Sequence, residues 1–223
     1  MPITDWTVYK TAAGMQVALS ATNPFLGDAQ LRISRNGVGT SNISANLHLT
    51  SKPHGFRRGR LRTAYRLDTH ATTIDHGMGL VCMQSQADLT QGSGAAYALV
   101  LRTSTAGGTI DSLRLVQYSA GLAAPTGGVV LATYATGNIV LATTVCLELE
   151  WQLDLGTLAR IAFTARFQVG FVLPSVPVLP TVLTYVATTN VLSTSVAEGL
   201  AVFMAGSGDH ASAFGETGLF VLP

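Results

Sequence analysis

The stretch Val145-Cys-Leu-Glu-Leu-Glu-Trp-Gln-Leu-Asp154 alternates between an apolar phase and a mostly polar phase. The apolar phase carries Val145, Leu147, Leu149, Trp151 and Leu153, and the other carries Cys146, Glu148, Glu150, Gln152 and Asp154. A period of two over ten residues is typical of a β-strand with one buried and one polar face, and it fits no helix. The pattern predicts that Trp151 lies in the core and that Glu148 and Glu150 lie on a solvated face.

The same alternation recurs along the chain between clusters of Gly, Asn, Ser and Pro, and no segment keeps the apolar stripe of an amphipathic helix. The predicted strands are Trp6–Lys10, Met15–Ala21, Gln30–Arg35, Ser44–Thr50, Gly59–Leu67, Gly79–Gln84, Tyr97–Arg102, Ser112–Tyr118, Val129–Thr133, Val145–Asp154, Leu158–Val169, Val182–Val186, Ala201–Ala205 and Gly218–Leu222. So many short strands exceed what one open sheet holds without curling. They predict an all-β, two-sheet sandwich over a single domain, residues 1–223.

The amino-acid composition limits the kinds of partner that this domain is expected to bind. Charged residues make up 11% of the 223 residues, against about 25% in typical soluble domains. Hydrophobic residues reach 48%, so we expect the surface to be covered by self-association into a homo-oligomer or by other subunits of an assembly. No apolar run is long enough for a membrane helix, and the net charge of +1 provides no field for nucleic acid. Neither a membrane nor a nucleic-acid partner is expected.

The first residues show no secretory signal pattern, so a cytoplasmic location is expected, or a virion if the protein is viral. Cys82 and Cys146 are the only cysteines, and we expect both to be free thiols.

Residues 171–183 form an apolar segment with three prolines, which do not fit inside a sheet ladder. Two interpretations remain open: a crossover that covers one end of the core, or an arm that packs on a neighbouring subunit. The candidate arm residues are Phe171, Val172, Leu173, Pro174, Pro177 and Pro180.

A stripe of arginines follows one phase of the strand near residue 60. Its members are Arg58, Arg60, Arg62 and Arg66. Guanidinium groups bind carboxylates, sulfates and phosphates through paired hydrogen bonds. The stripe therefore predicts a contact with an anionic glycan, a nucleic-acid backbone or a partner subunit, or else an outer face paired with Glu148 and Glu150 across the sheet.

The order of the strands resembles a known family. The stretches Gly55–Asp68, Gly77–Met83, Tyr97–Arg102, Leu113–Tyr118, Glu148–Asp154, Gly199–Met204 and Gly218–Leu222 carry the resemblance. Together they look like the concanavalin A-like jelly roll shared by legume lectins, laminin G-like domains and many glycanases. The resemblance covers about residues 1 to 222 through strand rhythm rather than signature residues. It implies an antiparallel jelly-roll sandwich and does not choose among lectin, hydrolase and structural module.

Catalytic motifs are not evident. Glycanases of this fold carry Glu-x-Asp-x-x-Glu on one strand, whereas Glu148, Glu150 and Asp154 have different residue types and spacing. We therefore expect no enzyme, no catalytic residue and no cofactor. The histidines lack metal-site spacing, so no metal is expected, and Asp209-His210 is only a weak calcium-loop candidate. Aromatic residues that could stack on a sugar are Trp6, Tyr9, Tyr65 and Tyr97.

Three functions follow from these patterns. The first is a non-catalytic assembly protein, by analogy a phage capsid decoration or tail component of a virion. The alternative is a carbohydrate-binding, lectin-like module. The third is a glycanase, which requires Glu148 or Glu150 in a cleft with a raised pKa.

Overall fold

The computed structural model contains fourteen strands in two antiparallel sheets. It describes residues 34, 56–68, 77–86, 89, 94–103, 109–121, 128–156, 158–170, 179–193 and 195–202 with their side chains. Residues 6–10, 15–20, 30–33, 35, 45–51, 69–70, 75–76, 203–205 and 210–221 are described as strand backbone. The predicted all-β sandwich of two sheets is confirmed.

The strands are β1 (Trp6–Lys10), β2 (Met15–Ser20), β3 (Gln30–Arg35), β4 (Ala45–Ser51), β5 (Arg58–His70), β6 (Asp75–Gln84), β7 (Ala96–Thr103), β8 (Ile110–Tyr118), β9 (Val129–Ile139), β10 (Thr144–Asp154), β11 (Arg160–Val169), β12 (Thr181–Ala187), β13 (Ala197–Ala205) and β14 (His210–Val221). Sheet 1 has the order β1-β4-β13-β6-β7-β8-β9, and sheet 2 has the order β12-β11-β10-β5-β14-β3-β2. The edge strands β9 and β12 contact each other at one side of the sandwich.

The core lies between the sheets and is built from the apolar phases of their strands. Sheet 1 contributes Leu80, Leu99 and Leu115, and sheet 2 contributes Leu61 and Leu149, among others. Burial of this apolar surface provides the main stabilisation of such a sandwich. No helix long and apolar enough to cross a membrane occurs among the described residues.

Trp151 is fully buried, as its phase predicts. Its indole Nε1 donates to the Phe56 carbonyl at 3.2 Å. Gly59 pairs with Trp151 across β5 and β10, and a Cβ at Gly59 would lie 2.5 Å from the Trp151 ring. The absence of a side chain at Gly59 therefore makes room for the indole.

Several strands extend further than their sequence pattern predicts. β9 continues through Gly137, which has a positive φ of 73° and lies where the β8–β9 register shifts. The Gly137-Asn138 pair, typical of a turn, is part of this irregularity within the strand. β13 begins at Ala197 rather than at Ala201. This earlier start adds Glu198 to the strand.

The Pro-rich segment ends earlier than predicted, because residues 181–183 belong to β12. Leu179 is fully buried and packs with Ala64 and Cys146 on the side of sheet 2 that faces away from the core. The Phe167 N–H donates to the Pro180 carbonyl at 3.1 Å. This end of the segment thus covers its own sheet, while the candidate arm residues Phe171, Val172, Leu173, Pro174 and Pro177 lie outside the described residues.

Both cysteines are free and buried, as expected. Cys82 belongs to the core between the sheets, whereas Cys146 lies under Leu179 on the opposite side of sheet 2. A whole sheet therefore separates the two thiols.

Candidate functional site

The predicted arginine stripe lies on the surface of sheet 2 that faces away from the core. We call this surface the outer charged face, formed by Arg58, Arg60, Arg62, Arg66 and Asp68 on β5, Glu148, Glu150, Gln152 and Asp154 on β10, and Arg160 and Arg166 on β11. These residues occupy the polar phases of three adjacent strands. Six arginines and four carboxylates leave the face with an excess of positive charge.

Strand register sets the arginines against the carboxylates. Arg62 pairs with Glu148 and Arg60 pairs with Glu150 across β5 and β10. Directly opposite residues in antiparallel strands hold their side chains about 4.5–5.5 Å apart. The register thus brings together the acids and arginines that the sequence placed on one face.

Glu148 is the centre of this arrangement, and its side chain is only 1% exposed. Arg166 Nη1 donates to Glu148 Oε1 at 2.6 Å. The Nε atoms of Arg60 and Arg62 each lie 3.9 Å from Glu148 Oε2. The expected solvated position is therefore wrong for Glu148, because three guanidinium groups surround its carboxylate.

Arg166 connects the two glutamates. The same Nη1 atom that contacts Glu148 also donates to Glu150 Oε2 at 3.0 Å. Partial burial alone would lower the pKa of Arg166, but its hydrogen bonds to Glu150 and Glu148 outweigh this and raise it. Both carboxylates are engaged by one guanidinium, so the pair does not flank an open space as the two carboxyl groups of a glycosidase do.

A shallow depression of about 210 Å³ lies next to this cluster. It is lined by Gln152, Asp154, Arg160, Ala162 and Val186. The depression combines an exposed amide, an ion pair and an apolar surface that is 52% exposed at Val186. Such a mixture provides hydrogen-bond partners for hydroxyl groups and a contact for the C–H face of a sugar.

The ion pair in the depression is ordered by the turn that follows β10. Asp154 Oδ1 accepts from the Gly156 N–H at 3.0 Å, and Asp154 Oδ2 accepts from Arg160 Nε at 3.0 Å, with Arg160 Nη2 2.9 Å from the same oxygen. The Gly156 N–H and then Arg160 lower the pKa of Asp154. Because this pair is exposed, a ligand in the depression can reach both charges.

The fourth predicted arginine has a separate environment. Arg66 Nε donates to Asp68 Oδ1 on the same strand. Ala64, under Leu179, lies between Arg62 and Arg66 along β5. The apolar contact of Leu179 therefore divides the outer charged face, with Arg58, Arg60 and Arg62 on one side.

Two of the predicted sugar-stacking residues are placed elsewhere. Tyr65 and Tyr97 are buried in the core, and the Tyr97 ring lies 4.8 Å from the Phe163 ring. Neither ring can stack on an external sugar, because each lies on an inward-facing strand phase. The side chains of Trp6 and Tyr9 lie outside the described residues, as does Asp209 of the calcium-loop candidate. Among the residues with described side chains, no three His, Cys, Asp or Glu are grouped as metal ligands.

Arg160 and Arg166 also belong to the outer charged face but were not predicted, because they lie on β11 and the predicted arginine stripe lies on β5. Both residues share the outward phase of β11, opposite Ile161, Phe163, Ala165 and Phe167. The alternation of polar and apolar residues from Arg160 to Phe167 is the sequence signal that places both arginines on an outward phase.

Comparisons with known proteins were informative at the level of structure. No protein-family model matches the chain, and no curated protein is significantly similar in sequence. The carbohydrate binding module CBM66 from Bacillus subtilis superposes with a TM-score of 0.54 at 13% identity, covering 97% of this chain and 95% of that one. An endo-β-1,4-glucuronan lyase from the fungus Trichoderma reesei gives a TM-score of 0.59 at 11% identity, with 97% and 90% covered. The metal-free carbohydrate recognition domain of Emp46p gives 0.55 at 12% identity, with 98% and 88% covered.

The fold is a lectin-like jelly roll. This confirms the architecture that the strand order implies, the concanavalin A-like sandwich. At such low identities the likeness concerns the fold alone, and the neighbours include both binding modules and lyases.

Proposed function

We propose that this protein is a non-catalytic, carbohydrate-binding domain of the lectin type and that the outer charged face is its ligand surface. The observation that carries the proposal is the cluster around Glu148, where three arginines converge on one buried carboxylate beside a shallow depression. Support also comes from the fold neighbours, which include carbohydrate-binding modules.

The charge of the face favours an anionic glycan. The six arginines exceed the carboxylates around them, and guanidinium groups recognise carboxylate and sulfate groups in a bidentate manner. One of the fold neighbours is named for glucuronan, a polysaccharide that bears carboxylates. Binding would place the acidic groups of the glycan over Arg58 and Arg60 and a sugar ring in the depression beside Gln152.

The proposal of a non-catalytic role rests on the glutamates. Glu148 is buried beneath arginines, and Glu150 shares its partner Arg166. General acid–base catalysis needs a group within hydrogen-bond reach of the substrate proton. Glu148 lacks that access because its side chain is 1% exposed, and the 27% exposed Glu150 is engaged by Arg166. The prediction of a virion component gains no support from the three compared structures, none of which is a virion protein.

Binding is tested by isothermal titration against alginate, polygalacturonate and heparin as anionic glycans and dextran as a neutral one. We expect binding to an anionic glycan that weakens as salt is added. The double variant Arg58→Gln, Arg60→Gln should weaken that binding at least about tenfold, a loss of about 1.4 kcal/mol. Arg57→Gln is the matched control, because exposed Arg57 precedes β5 on the opposite phase. Absence of binding to every glycan would contradict the proposal.

The non-catalytic role is tested separately by incubating the protein with each polysaccharide and assaying new reducing ends. Both hydrolysis and elimination generate such ends. We expect none above a blank. Production of reducing ends that disappears in Glu150→Gln would show a catalytic site instead.

A further inference from the structure

The two longest stretches of the chain without a charged residue are 115–147 and 167–197. The first includes β9 and the second includes β12, and these are the edge strands at the same side of the sandwich. The Tyr134 ring of β9 lies 6.5 Å from the Phe167 ring of β11, so the two sheets are joined at this side. We call the side formed by β9 and β12 the neutral edge.

The neutral edge exposes apolar side chains. On β9, Val129 is 66% exposed and Val130 is 44% exposed. Val140, in the turn after β9, is 62% exposed. Edge strands of soluble proteins commonly carry lysine, proline or other charged residues that discourage pairing with another strand. β9 carries neither a charged residue nor a proline over its 11 residues.

Irregular register limits the part of β9 that can accept another strand. The β8–β9 register shifts between Leu115 and Val116 and again between Ile110 and Ser112. Between these shifts, Ala132–Ala135 pairs regularly with β8. The outer edge of this short run offers regular backbone geometry, and exposed Thr133, Tyr134 and Ala135 lie on it.

Chemistry and size favour a second copy of the chain as the occupant. β9 itself carries no counter-charge for a charged partner strand, so burying such charges against it costs free energy. When β9 pairs antiparallel with β9 of a second copy related by a two-fold axis, the two strands bring no like charges together. A strand of 11 residues is about 36 Å long, and the side of two stacked sheets with their side chains is roughly 20 Å wide. The resulting area, roughly 700 Å² per copy, is close to the about 800 Å² per partner of stable interfaces.

We infer that two copies of this protein associate through the neutral edge, with Ala132–Ala135 of β9 near the two-fold axis. Ala132–Ala135 lies in sheet 1, whereas the outer charged face lies on sheet 2; β12, the other strand of the neutral edge, carries Val186 of the depression beside that face. A dimer therefore carries two glycan surfaces, but the inference does not depend on glycan binding.

The test is sedimentation velocity of the full, untagged chain over a concentration series. The wild type is expected at twice the chain mass of 23.3 kDa. Thr133→Lys and Thr133→Glu should each raise the dissociation constant at least about tenfold, with unchanged circular dichroism because Thr133 is exposed. An equimolar mixture of the two variants should dimerise again, since opposite charges then face each other across the axis.

Leu158→Lys is the control, because Leu158 is 81% exposed in the β10–β11 turn and belongs to neither β9 nor β12. It should leave the mass unchanged. Ala135→Lys provides a second edge variant if either Thr133 variant fails to fold. A monomeric wild type at all concentrations would overturn the inference. So would a dimer that persists in the edge variants, or a mixture of Thr133 variants that stays monomeric.

Discussion

Glu148 and Glu198 are both buried glutamates, but their surroundings differ in charge. Glu148 lies on the outer charged face, where three arginines approach its carboxylate. Glu198, on β13, shares the strand phase of core residues Leu200 and Val202 and is 0% exposed. It accepts hydrogen bonds from Ser195 Oγ at 3.1 Å and from the Phe56 N–H, which are neutral donors.

This difference shows two ways in which one sandwich accommodates a buried acid. Burial raises the pKa of Glu198, although the hydrogen bonds from Ser195 and Phe56 oppose the shift. Burial, and then the nearby Glu198, also raise the pKa of the Cys82 thiol. On the outer face the acid is matched by cations, and the remaining positive charge can serve a ligand. Inside the core the donors to Glu198 are the neutral Ser195 hydroxyl and Phe56 N–H, and burial raises its pKa, which favours the protonated form relative to a solvated glutamate.

The largest effect is expected from Trp151→Ala, which removes the side chain that supports both regions. Trp151 Nε1 donates to the Phe56 carbonyl, and the Phe56 N–H donates to Glu198. Trp151 also lies between Glu150 and Gln152 on β10. We expect a loss of about 3–5 kcal/mol in the free energy of unfolding, measured by urea denaturation. Leu158→Ala, at an exposed turn position, should change it by less than about 0.5 kcal/mol.

Glu148→Gln tests whether the charge of Glu148 stabilises the arginines that surround it. The substitution keeps the shape but removes the charge that Arg60, Arg62 and Arg166 surround. We expect a loss of about 1.5–3 kcal/mol in urea denaturation. Glu150→Gln is the matched control: its side chain is 27% exposed, and the loss should stay below about 1 kcal/mol. Equal effects at the two positions would contradict a central role for Glu148.

Gly59→Ala probes the register that brings β5 and β10 together. The new methyl group would lie 2.5 Å from the Trp151 ring and must displace it. We expect a loss of about 1–2 kcal/mol from this overpacking. In a Trp151→Phe background the same substitution should cost less, since the smaller ring leaves room. An undiminished cost in that background would place the strain elsewhere.

Glu198→Gln is expected to change the dependence of stability on pH more than stability at one pH. The native pKa of Glu198 is raised, so the folded state binds this proton more tightly than the unfolded chain does. The resulting stabilisation is fully present below the unfolded pKa of about 4.3 and is lost as pH rises through the folded pKa. In urea denaturation, the free energy of unfolding of wild type should therefore fall relative to that of Glu198→Gln as the pH rises from below about 4.3 through the folded pKa. A constant difference between the two proteins would contradict the raised pKa.

Much of the architecture was predictable because strand alternation is a local property. Every predicted strand is present, and Trp151 lies in the core as the apolar phase of residues 145–154 indicates. The errors lie where backbone geometry departs from a regular strand. β9 continues past its predicted end at Thr133 through Gly137 with an irregular register, and the early start of β13 adds Glu198 on an otherwise apolar phase.

The candidate site was only half predictable. The sequence placed Arg58, Arg60 and Arg62 on one phase and Glu148 and Glu150 on another, and it offered their pairing as one alternative. The arginines lie on β5 and the glutamates on β10, and these two strands are far apart in the chain. Only the sheet order β11-β10-β5 and its register show that Arg62 is opposite Glu148. The contribution of Arg166 follows from the same order.

By itself, the sequence determined that this protein is an all-β sandwich with a buried Trp151, because a period of two is encoded residue by residue. It also determined that two long stretches of the chain carry no charge. Tertiary structure alone decided that these stretches meet at one edge and that Glu148 is buried among arginines. Pairing between distant strands depends on register and on the packing of whole sheets, and no local pattern contains that information.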